Sequence, residues 1–167
     1  MDLTKKERLL LINQFLILEK LYPEEAKYHE KNRIALQHGF KLHYNWIFEN
    51  ISDELSEDEC RDVLDTLELY RALITSFDNL GDKQGLNETD VKFPGFDGNN
   101  EPELLAYTRY FIVDLDRYDE LIRGRKYPDF NSHAPMMHVY KRRHAFWKSL
   151  NRPYNMSASQ IREVLEL

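Results

Sequence analysis

The chain has 167 residues and a net charge of −6, with 42% hydrophobic and 31% charged residues. That balance suits one folded domain over 1–167 and is wrong for a disordered chain. The single cysteine, Cys60, excludes an internal disulfide and a cysteine-rich zinc site, and it sits among the acids of Asp53–Glu68, a poor setting for an activated thiolate. The cytoplasm is the expected compartment. The apolar run Leu9–Leu18 follows Lys5, Lys6 and Arg8 but is broken by Asn13-Gln14 and followed by Glu19-Lys20. It lacks a small-residue cleavage site and falls short of the ~20 residues a membrane span needs, so it reads as a core helix and no membrane partner is expected.

In chain order, Thr4 and Glu7 form a capping box that starts a helix running to about Leu21 and stopped by Pro23. Its middle is apolar on nearly every face, which predicts a helix surrounded by protein. A more polar helix from Glu24 to about His38 should end at Gly39. Phe40–Phe48 reads as a short helix. Ser56 and Glu59 repeat the capping box and open a long helix to about Asn79. There Cys60, Val63, Leu64, Leu67, Tyr70, Ile74 and Phe77 share one face, while Leu69, Ala72, Leu73 and Leu80 cover a second. Thr4–Leu21 and Ser56–Asn79 are thus expected as two buried central helices.

Residues 81–101 are loop-rich, punctuated by Gly81, Gly85, Pro94, Gly95 and Gly98, with a very short extended piece expected at Val91 and Phe93. Asn100, with Pro102 and Glu103 behind it, should cap a helix continuing to Leu121 or Ile122. A second loop, Arg123–Ala134, precedes a helix from Pro135 to Leu150, and a third capping box, Ser157 with Gln160, opens a terminal helix to Glu166. The fold class expected is all-α, with about seven helices.

Four stretches carry a family resemblance. They are Glu7-Arg8-Leu9-Leu10-Leu11-Ile12-Asn13-Gln14-Phe15, Leu69-Tyr70-Arg71-Ala72-Leu73, Phe96-Asp97-Gly98-Asn99-Asn100-Glu101 and Asn131-Ser132-His133-Ala134-Pro135-Met136. In this order they make the chain resemble the YfbU family over essentially its whole length. The resemblance implies a multihelical cytoplasmic protein without a known cofactor and without an assigned biochemical activity. It also marks Phe96, Asp97, Asn99, Asn100, Glu101, Asn131, Ser132 and His133 as candidate ligand or motif residues in two loops.

Little recognisable chemistry is present. Asp97, Asn99 and Glu101 alternate like the start of a calcium loop, but position six is Pro102 and position twelve is Thr108. The structural reading is a turn at Asp97-Gly98, with Asn99 or Asn100 capping the next helix and Phe93 and Phe96 anchoring the loop. No two of the six histidines are four residues apart, and no Glu-x-x-His, phosphate loop, G-x-G-x-x-G or G-x-S-x-G occurs. No metal ligands and no catalytic residues are therefore assigned. An enzyme would require Asp97, Glu101 and His133 to converge in one pocket.

Charge is more unevenly distributed. Between Leu121 and Arg152 the basic residues Arg123, Arg125, Lys126, Lys141, Arg142, Arg143, Lys148 and Arg152 oppose Asp129 alone, a net +7 that leaves −13 elsewhere. Ser52–Glu68 is its acidic counterpart. The basic segment is a candidate anion or nucleic-acid contact, disfavoured by the acidic pI near 5.5. Its plain alternative is a solvated helix face paired with the acidic helix. A third reading sets the acidic helix of one copy against the basic helix of another, giving a homo-oligomer favoured at low salt. The leading expectation is a non-enzymatic, self-associating interaction or regulatory module with no cofactor. The partner is a second copy or another protein, with nucleic acid and a pocket between the two loops as alternatives.

Overall fold

The computed structural model describes residues 2–123 and 129–167. Within them are seven α-helices: α1 Lys5–Leu21, α2 Ala26–His38, α3 Tyr44–Ile47, α4 Glu57–Asn79, α5 Pro102–Arg109, α6 Met137–Ser149 and α7 Ala158–Leu165. No strand occurs among the described residues; a single parallel bridge pairs Phe96 with Asn131. The backbone divides into two compact units, residues 1–54 and 55–167.

The first unit is a helical hairpin followed by short turns. The Thr4–Glu7 capping box starts α1 as expected, and Gly39, in the left-handed conformation at φ 73°, ends α2. Three contacts tie the hairpin together: Arg33 bonds Glu19 at 2.6 Å, Arg8 donates to the Leu36 carbonyl at 3.1 Å, and the Phe15 and His29 rings lie 5.9 Å apart. The short helix expected over Phe40–Phe48 is a 3₁₀ turn, Lys41–His43, continued by the single turn of α3.

One expectation fails here. No residue of α1 is buried, and Leu9, Leu10 and Leu21 are 58%, 58% and 64% exposed. The half-buried positions Arg8, Leu11, Ile12, Phe15, Leu18 and Glu19 fall on one side of the helix, the side that meets α2. One neighbouring helix covers one stripe, so an all-round apolar sequence leaves two further stripes open.

The second unit is built around α4. Val63, Leu67, Leu69, Tyr70, Ala72 and Leu73 are all fully buried, so both faces read from the sequence are used. Around it pack α5, α6 and α7, with Phe93, Phe96, Phe130, Ile112, Trp147 and Ile161 in the same core. The Ser56–Glu59 and Ser157–Gln160 capping boxes form as expected.

Three further expectations change in detail. The helix expected to reach Leu121 or Ile122 ends at Arg109, passes through a π turn at Tyr110–Asp114 and gives way to positive φ at Asp116 and Tyr118 before a 3₁₀ turn, Asp119–Leu121. The Leu115 N–H reaches back five residues to Tyr110 at 3.0 Å, and the Tyr118 hydroxyl bonds Glu68 of α4 at 2.7 Å. Tertiary contacts thus stop a helix that periodicity would continue. Asn100 is not the cap of α5; Glu101 occupies that position and Pro102 the first turn. Val91 is buried in a turn and Phe93 is buried outside any regular element; among the described residues the one bridge forms at Phe96 instead.

Truncating a fully buried α4 side chain measures this core. Leu67→Ala should lower stability by about 2–5 kcal/mol in urea unfolding, the usual range for a buried leucine that leaves a cavity.

Candidate functional site

The two motif loops meet, and backbone geometry brings them together. Gly95 has φ 98°, a conformation that glycine adopts without penalty, and a Cβ built there would overlap the Phe130 carbonyl. That close approach lets the Phe96 N–H donate to the Phe130 carbonyl at 2.9 Å and the Ser132 N–H donate to the Phe96 carbonyl at 3.1 Å. The expected aromatic anchors are in place beneath. Phe93, Phe96 and Phe130 are fully buried, joined by Tyr70 and Tyr140, with ring centroids 5.1 Å apart for Tyr70–Phe93 and 5.3 Å for Phe96–Tyr140. The Tyr140 hydroxyl donates to the Gly95 carbonyl at 2.6 Å. Burial pushes the hydroxyl pKa of Tyr70 and Tyr140 up, so both stay neutral, Tyr140 donating to Gly95 and Tyr70 accepting from Arg143.

Above this aromatic floor, polar side chains close the clasp. Asn131 Oδ1 accepts from the N–H groups of Gly98 at 3.1 Å and His133 at 3.0 Å. The Asp97 carboxylate is 2% exposed and accepts from the Asn99 N–H at 3.1 Å and from the Asn100 side-chain amide. Those two bonds, the Asn100 one first, hold its pKa below the ordinary 3.8. Ser132 Oγ donates to the Ala134 carbonyl at 2.7 Å.

Glu101 does the most. Its carboxylate accepts from the N–H groups of Met136 at 2.9 Å and Met137 at 2.8 Å, and from that of Asp97 at 3.1 Å. Helix α6 has no side-chain cap of its own, so its first free N–H groups are satisfied by an acid from the other loop. A negative charge at a helix N-terminus is favourable in addition to the hydrogen bonds.

Asp97 and Glu101 are therefore in one place with His133 near them, but both carboxylates are spent on neighbouring N–H groups. His133, at φ 55°, is exposed, and its backbone N–H makes the Asn131 contact. The arrangement is a cap and an Asx turn, with no carboxylate left free to move a proton. Among the described residues no group of three or more His, Cys, Asp or Glu side chains is placed to hold a metal ion.

The basic segment has gone a different way. Lys141 pairs with Asp62 at 2.8 Å, Arg152 with Asp65 at 3.3 Å, and Arg123 with Asp78 through a bond of 3.0 Å and a shorter one. Arg142 donates to the Leu167 carbonyl at 2.8 Å, and Arg143 to the Tyr70 hydroxyl at 2.7 Å and to the Leu165 carbonyl. Lys141 thus ties α6 to the acidic half of α4, Arg142 and Arg143 tie it to the C-terminal residues and Tyr70, and Arg123 and Arg152 reach α4 from outside α6. Lys148 is exposed at the end of α6. Arg125 and Lys126 lie outside the described residues. Two cavities in this unit, of about 230 and 480 Å³, have cationic groups in their walls. In the first Arg123 is held by Asp78, and in the second Arg143 is held as above.

Sequence reading found both loops and the aromatic anchors, but missed Glu101 as the cap of α6. A donor lacking any cap residue at its own helix start, Met136 with Pro135 before it, was the available signal.

Glu101→Ala should cost about 2–4 kcal/mol in urea unfolding by stranding buried N–H donors, and Glu101→Gln distinctly less because one acceptor oxygen remains. Gly95→Ala should be at least as damaging, since the backbone must move or lose the Phe96–Phe130 bond. The lowered pKa of Asp97 gives the pH dependence. Its contribution is fully present above about pH 4 and disappears as pH falls through the folded-state value. In thermal unfolding, the difference between the parent chain and Asp97→Asn should shrink on going from pH 6 to about pH 2.5.

Among the described residues no helix is long and apolar enough to cross a membrane. The comparison with protein families agrees with the resemblance read from the sequence. The model of the YfbU domain matches residues 1–167, the whole chain, and the protein belongs to the YfbU family.

Proposed function

We propose that this protein is a non-enzymatic interaction module that self-associates, and that its first unit supplies the contact surface. One observation carries the reading. Leu9, Leu10, Leu16, Ile17, Leu21, Tyr28, Ile34, Phe40, Leu42, Trp46 and Ile51 are all exposed in the first unit, whereas the second exposes only Tyr110, Val113, Leu115 and Leu167 among its described large apolar residues. Scattered apolar residues are ordinary on a surface; such a concentration on one small unit is the mark of an interaction site.

The reading differs from charge-driven association in its salt dependence. Lys141, Arg152 and Arg123 already have acidic partners in their own chain, so they offer little to a second copy. Apolar burial is not screened by salt. The lone Cys60, without a disulfide, suits a cytoplasmic setting for such a module.

Light scattering coupled to size exclusion, run from 50 mM to 1 M sodium chloride, tests this. An assembly larger than one chain should persist across the range. A chain that is monomeric at all salt concentrations would remove self-association, and one that dissociates on adding salt would return the contact to charged groups.

A further inference from the structure

Helix α1 carries two open apolar stripes, and they differ in length. One holds only Leu9 and Leu16 as exposed apolar residues. The other runs the length of the helix as Lys6, Leu10, Gln14, Ile17 and Leu21, all exposed, in steps of four and three residues. Steps of this kind keep a stripe aligned with a neighbouring helix, and Leu10, Gln14, Ile17 and Leu21 occupy the successive core positions of such a pairing.

We infer, building on the self-association proposed above, that the occupant of this longer stripe is the same stripe of a second copy, packed antiparallel about a two-fold axis beside residues 15 and 16. In that register Leu10 meets Leu21 of the partner subunit, and Gln14 meets Ile17 of the partner subunit. Symmetry repeats both pairs, so four residues per copy form a closed core.

Three features favour this occupant. The first is charge: Lys5 and Lys6 lie at the start of the helix, and Glu24 and Glu25 in the turn just after it, all exposed. An antiparallel pairing brings the lysine end of each copy to the glutamate turn of the other, at both ends; a parallel pairing would set like against like. The second is area. Leu10, Ile17 and Leu21 keep 58%, 51% and 64% of their surface exposed, so a facing stripe has apolar area to cover. The third is the polar residue. The two Gln14 side chains are offset by three residues, roughly 4.5 Å along the axis. They can bond across the two-fold axis, and a lone polar core residue fixes register and orientation.

Disulfide trapping reads the arrangement directly. In a Cys60→Ser background, differently tagged Gln14→Cys and Ile17→Cys chains are mixed and mildly oxidised, with Leu9→Cys as the chain from the shorter stripe. The mixed 14–17 disulfide should be the main linked product and Leu9→Cys should stay largely unlinked, because only facing residues bring Cα atoms within about 7 Å. Ile17→Asp should weaken the dimer at least tenfold while far-ultraviolet circular dichroism stays helical. A dimer that links through Leu9→Cys, that fails to form the 14–17 bond, or that survives Ile17→Asp overturns this arrangement and leaves self-association standing. A chain that is monomeric before any substitution overturns both.

Discussion

A carboxylate taken out of water must find donors, and a helix start must find acceptors. Glu101 answers both needs with one side chain, accepting from Met136 and Met137 at the start of α6 and from Asp97 in its own loop. The position of α6 follows from that contact, and with it the Tyr140 hydroxyl on Gly95 and the line of basic residues facing α4. Close approach of the backbone at Gly95 is the condition for all of it, because any side chain there would meet the Phe130 carbonyl. The family motifs around Phe96–Glu101 and Asn131–Met136 are the two halves of one clasp. Asp97, Asn100, Glu101, Asn131 and Ser132 each make a side-chain bond within it.

The charge asymmetry along the sequence has a comparable origin. The acidic start of α4 and the basic α6 form ion pairs with one another, while Arg142 and Arg143 bond carbonyls of the last residues. Exposed pairs of this kind add little stability each, so their role is chiefly to orient α6 and the C-terminal residues on a core already formed by Leu67, Leu73, Phe93 and Trp147. Arg123, Lys141, Arg142, Arg143 and Arg152 of the basic segment thus have partners within the one chain.

The first unit obeys a different constraint. A single neighbouring helix cannot cover an all-round apolar helix, and α2 covers only the side of α1 that carries Leu11, Phe15 and Leu18. In the second unit four elements surround α4 and the account closes internally. The contrast between a helix that is buried and an apolar one that stands open is the observation on which the proposed contact surface of the first unit rests.

Local signals were legible in the sequence. The three capping boxes, the Gly39 stop and the two apolar faces of α4 form where spacing placed them, because each depends on residues within one or two helical turns, and Phe93 and Phe96 are buried as anchors. Tertiary structure decided what depends on distant partners. It ended the helix at Arg109, where Tyr118 is drawn to Glu68. It made Glu101 the cap of a helix that begins 36 residues later, and spent the charges of α6 on α4. It left α1 open, because periodicity records which faces of a helix are apolar but not how many neighbours the fold will supply to cover them.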